Sequence, residues 1–88
     1  MNSKFIKLYP QLWTPQVGEI VEITEFYENK LIPYYRIGNI CIICEIKKYI
    51  SGNTVYVGDF SQHNRIIFPY EGKCEIGTKK YFKLYDKK

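Results

Sequence analysis

The chain has 88 residues, 45% of them hydrophobic and 25% charged, with a formal net charge of +4. That length makes a single domain over 1–88, burying roughly 60 to 65% of the surface its unfolded form exposes, and the apolar content excludes a disordered tail. The longest unbroken apolar run, Ile40 to Cys44, falls far short of the roughly 20 residues of a membrane-spanning helix, and Met1-Asn2-Ser3-Lys4 does not begin a leader, so the expectation is a soluble cytoplasmic protein with no membrane partner.

Alanine, the best helix former, is absent, while isoleucine occurs thirteen times and tyrosine nine, so strand formers dominate. The same bias is what an AT-rich genome writes, which points to a phage, a mobile element or a low-GC bacterium. Residues 1–14 are read as an N-terminal arm or edge strand. Within them Lys4 to Tyr9 echoes Lys80 to Tyr85 at four of six positions. Residues 17 to 27 alternate as a half-buried strand, with Val21 and Ile23 on one side and Glu22 and Thr24 on the other. Its opening, Pro15-Gln16-Val17-Gly18-Glu19-Ile20-Val21-Glu22-Ile23, resembles the first strand of SH3-like small barrels, which implies such a barrel and carries no functional residue across.

Asn29 to Pro33 breaks the pattern before an apolar stretch from Tyr34 to Ile50. Extended backbone there places Ile40, Ile42, Cys44 and Ile46 on one face and Cys41 and Ile43 on the other, a central strand running out into solvent. A helix capped by Asn39 competes, but the β-branched density of residues 40 to 46 disfavours it. Ser51-Gly52-Asn53 marks a hairpin, and Thr54 to Phe60 returns with Val55 and Val57 opposite Tyr56 and Phe60. Arg65 to Pro69 and Lys73 to Ile76 read as short strands between turns, and Lys80 to Tyr85 closes the chain as a strand. The fold class is all-β, a small antiparallel barrel or rolled sheet of five to six short strands.

Few constellations offer chemistry. Cys41-Ile-Ile-Cys44 with His63 and Cys74 spells a zinc site, yet strand backbone sets the Cα atoms of Cys41 and Cys44 about 10 Å apart. An odd three cysteines fits reduced thiols. Asp59, Ser61 and His63 name the members of a triad, but one short loop does not converge them on a point. The glycines are scattered and form no phosphate loop. A non-enzymatic protein without metal or cofactor is expected.

What remains is aromatic and basic surface. Tyr27, Lys30, Tyr34, Tyr35 and Arg36 crowd the first long loop, and Tyr and Arg are enriched in interface cores, so this loop is the expected protein-binding surface. A phage or mobile-element accessory or inhibitor protein would act in this way. The alternative is single-stranded or nonspecific nucleic-acid binding through Tyr81, Lys83 and Tyr85, turned outward from the last strand, with Lys79 and Lys80 beside them. Glu19, Glu22, Glu25 and Glu28 put −4 on residues 9 to 28, whereas Lys73, Lys79, Lys80, Lys83, Lys87 and Lys88 make the end basic. The molecule is polarised if these segments lie apart and self-neutralised if they pair. Exposed tyrosines on a terminal edge strand also allow a homodimer.

Overall fold

A computed structural model describes residues 13–61 and 72–85, which build one five-stranded antiparallel sheet. The strands are β1 (Ile20–Ile23), β2 (Ile40–Lys48), β3 (Thr54–Asp59), β4 (Lys73–Gly77) and β5 (Phe82–Leu84), with a single 3₁₀ turn over Lys79–Tyr81 between the last two. Their order in the sheet is β4-β3-β2-β1-β5, so each strand lies beside its chain neighbour until β5 returns next to β1. The strands expected at 4–9 and 65–69, and the arm at 1–12, fall outside the described residues.

β1 is shorter than the sequence pattern suggests. Gly18, at φ 99°, turns the chain in, and beyond Ile23 the amides of Thr24 and Glu25 both donate to the Tyr81 carbonyl, at 3.1 and 3.2 Å. The β2–β3 hairpin closes where Ser51-Gly52-Asn53 predicts it. The Tyr49 amide donates to the Asn53 carbonyl at 3.0 Å, and Gly52 adopts φ 92°, which glycine supplies without strain. At the other end, the strand expected from Lys80 is shortened, because Lys79–Tyr81 coil into the 3₁₀ turn before β5 begins.

Along β2 the buried positions are Cys41 and Ile43, and beyond them Ile46 also packs on the core. Strict alternation would send Ile43 and Ile46 to opposite faces. The β2–β3 register slips between Ile43 and Glu45, leaving Cys44 as the extra residue that lets both side chains point inward. A second irregularity separates Tyr56 from Val57 where β3 meets β4.

These irregularities bend the sheet, and the bend is required by chain length. Flat, the five strands would hold β4 and β5 about 19 Å apart. Residues 78–81, three of them coiled, reach only about 13 Å. The sheet therefore rolls, but the barrel expected from the SH3-like opening does not close: β4 and β5 stay at opposite edges and do not pair. With β5 only three residues long, there is little ladder with which to seal the seam.

Inside the roll lies one core cluster of Val21, Ile23, Cys41, Ile43, Tyr56, Ile76 and Phe82, joined by Trp13, Tyr34, Tyr35 and Phe60 from outside the strands. Gly58 marks its tightest point. A Cβ there would stand 2.5 Å from the Cys41 sulfur and 3.2 Å from Ile76 Cγ2, so the strand needs glycine for space and not for its backbone angle. Gly58→Ala should cost about 1–3 kcal/mol by overpacking. Urea unfolding of Gly58→Ala in wild-type and Cys41→Ala backgrounds checks this, with a smaller penalty expected once the sulfur is gone.

Candidate functional site

Residues 24–39, between β1 and β2, form a long loop that folds back over the open end of the roll. Its two central tyrosines go inside, which corrects the expectation of an exposed tyrosine-rich loop. Tyr34 is 8% and Tyr35 1% exposed, and both rings pack on Phe60, at centroid distances of 5.3 and 6.3 Å. Burial is tolerated because the hydroxyls find partners. The Tyr27 amide donates to Tyr35 Oη at 2.7 Å, and Tyr34 Oη donates to the Lys73 carbonyl at 3.1 Å. Burial in turn raises the Tyr35 hydroxyl above the ordinary tyrosine range.

Lys30 is an anchor as well. Its ammonium donates to the Glu75 carbonyl at 2.9 Å, pairs with Glu28 at 3.4 Å and lies 5.6 Å from the Tyr35 ring centroid. Tyr27 is half-buried. It covers Gly77, where an added Cβ would meet three of its side-chain atoms at 2.7 Å, and its ring meets Tyr81 edge-on at 5.5 Å. Of the five loop residues singled out from sequence, only Arg36 is exposed.

The surface that the loop leaves open centres on Glu75 of β4. Its carboxylate accepts from Lys47 at 3.1 Å and from the Tyr49 hydroxyl at 3.0 Å, both on the β2–β3 hairpin, while its own carbonyl holds Lys30. The Lys47 hydrogen bond, with that of Tyr49, keeps the Glu75 carboxyl below the usual carboxylate range, and the same contact raises Lys47. Loop and hairpin thus converge on one residue, and each carries a bare apolar side chain next in the chain to the residue that reaches it. Leu31 follows Lys30 at 98% exposure and Ile50 follows Tyr49 at 108%. Sequence reasoning missed Glu75, Tyr49, Ile50 and Leu31. The signal for Ile50 was present, an isoleucine at the tip of a predicted hairpin where burial is excluded.

The alternative residues divide. Lys79 donates to the Trp13 carbonyl at 2.9 Å, Lys80 lies 5.3 Å from the Tyr81 ring centroid, Lys83 is exposed on β5, and Tyr81 and Tyr85 are half-buried. β1 and β5 are neighbours, with Glu22 opposite Lys83, so acidic and basic segments lie side by side. The triad letters resolve into a turn: the Ser61 hydroxyl and amide both donate to Asp59 Oδ1, at 2.7 and 2.9 Å, while His63 lies outside the described residues. Cys41, Cys44 and Cys74 are free thiols, and burial pushes Cys74 up to about 11. Comparison with protein-family models, with curated proteins and with solved structures found no match.

Tyr35→Ala should remove about 3–5 kcal/mol, enough to unfold a domain of this size, whereas Leu31→Ser and Ile50→Ser should each stay within about 0.5 kcal/mol of wild type; thermal unfolding followed by circular dichroism separates them. Glu75, whose carboxyl is depressed in the fold, contributes stability that is present above its unfolded value and lost as pH falls through the folded one. The urea midpoint should drop below about pH 4, and Glu75→Gln should flatten that drop.

Proposed function

We propose that the protein is a non-enzymatic binding module that docks a protein partner on the face around Glu75. The observation that carries this reading is the convergence of the 24–39 loop and the β2–β3 hairpin on one residue, the loop through the Glu75 carbonyl and the hairpin through its carboxylate, with a wholly exposed aliphatic residue next in the chain to Lys30 and to Tyr49. Isolated apolar side chains on a surface are ordinary, but Leu31 and Ile50 each adjoin in the chain a residue fixed on Glu75, which supports reading them as exposed apolar groups held by a hydrogen-bonded anchor. The Lys47–Glu75–Tyr49 network holds the hairpin in place before contact, which lowers the ordering cost of binding. The meander, with β5 returned to β1, supports reading the sheet as an open variant of the SH3-like class. Small size and an AT-rich composition support an accessory or inhibitor role in a phage or mobile element, in the cytoplasm.

Nucleic-acid binding through Tyr81, Lys83, Tyr85, Lys79 and Lys80 is the second reading, favoured by the exposed Lys83. Glu22 beside Lys83 weakens it, because a phosphate backbone drawn to one is repelled by the other.

Affinity capture from the source cell tests both readings. A Leu31→Ser, Tyr49→Ala, Ile50→Ser variant should remain folded and lose a protein partner that survives nuclease treatment. Retention of that partner would remove the Glu75 face, and loss of capture on nuclease treatment alone would favour nucleic acid.

A further inference from the structure

β5 is an edge of the sheet, and its phase against β1 can be read from its hydrogen bonds. The Tyr85 amide donates to the Ile20 carbonyl at 2.9 Å and the Thr24 amide to the Tyr81 carbonyl at 3.1 Å, with Glu22 opposite Lys83 between them. Bonded pairs alternate in an antiparallel ladder. The peptide groups of residues 81, 83 and 85 therefore face β1, and those of Phe82 and Leu84 face outward. Among the described residues no strand pairs with that outer side.

A cavity of about 350 Å³ lies against this edge, lined by Trp13, Phe82 and Leu84 together with Lys79, Lys80 and Lys83. Its volume falls in the range of ligand sites. The Trp13 ring stands edge-on to Phe82 at 6.1 Å, and Lys79 fastens the Trp13 backbone by donating to its carbonyl. Among the described residues no carboxylate lines the cavity. The acid nearest in register, Glu22, sits one strand further in, on the far side of Lys83 from anything that approaches the edge.

We propose that the outer edge of β5 accepts an extended acidic segment of a partner protein as a sixth strand. The alternation of side chains sets its pattern. Partner residues opposite Phe82 and Leu84 share their face and drop apolar side chains toward the cavity, and the residue between them lies opposite Lys83 on the solvent face and is acidic. Main-chain bonds to residues 82 and 84 supply affinity, and the lysines select charge. A second copy of this chain is a poorer occupant, since pairing β5 with itself brings Lys83 against Lys83 or next to it, and like charges across strands repel. This edge is separate from the Leu31, Tyr49 and Ile50 face, so the inference stands apart from the function proposed above.

The chain's single tryptophan, Trp13, reports on the cavity directly. The probe is a capped ten-residue peptide of alternating isoleucine and glutamate, titrated into the full chain while tryptophan emission is followed. A saturable blue shift is expected. Affinity should fall by about tenfold or more in a Lys80→Glu, Lys83→Glu variant, whose fold is checked by circular dichroism, and should be unchanged in Tyr49→Ala. A peptide with lysine in place of glutamate, or one N-methylated at alternate residues, should not bind. Unchanged emission at millimolar peptide, equal binding of either control peptide, a stable dimer that excludes the probe, or its displacement by a single-stranded oligonucleotide would each overturn the proposal.

Discussion

The hydrogen bond from the Tyr27 amide to the buried Tyr35 hydroxyl is the interaction on which the rest of this structure depends. Residues 24–39 make no strand, and a loop of that length without regular structure is a heavy entropic burden on so small a domain. Sinking Tyr34 and Tyr35 onto Phe60 converts the loop into a lid for the roll, and the hydroxyl bonds remove the cost of burying their polar ends. Once the loop is pinned, Tyr27 settles over Gly77, Lys30 reaches the Glu75 carbonyl, and Leu31 has nowhere to go but outward. The exposed face is thus a consequence of what the core consumes.

The sheet meets its own constraints in a related way. Five short strands cannot enclose a core when flat, and residues 78–81 are too few to cross a flat sheet, so curvature is imposed by connectivity. The extra residue at Cys44 supplies a bend, and Gly58 allows β3 to come within reach of Cys41 and Ile76. Closure stops short because β5 is brief, which leaves an edge beside a cavity lined by apolar side chains and lysines. Placing β1 against β5 also sets the acidic and basic segments side by side, so the charge asymmetry of the chain does not become two charged poles.

Much of the sheet was legible in the sequence. Alternation at Val21 and Ile23, the run of isoleucines from Ile40, and Ser51-Gly52-Asn53 mark β1, β2 and the hairpin through local pattern alone. The bulge at Cys44 was not legible, since a slipped register depends on the partner strand. The site was read poorly for a related reason. Adjacent aromatics such as Tyr34 and Tyr35 carry no periodicity, and their burial depends on acceptors and donors far away in the chain, Lys73 among them. Glu75 likewise looked like one carboxylate in a short strand, because Lys47 and Tyr49 meet it only across the sheet. The excess of aromatics over what five short strands can place inside is the one signal in the sequence for a loop drawn inward.

Amide hydrogen exchange at Tyr27 tests the pinned loop most directly. An amide donating to the buried Tyr35 hydroxyl should exchange as slowly as the amides of β1 and β2 and should open only with the sheet. Exchange of Tyr27 at the rate of an unstructured loop, with the strand amides still protected, would contradict the account and free the loop from the core.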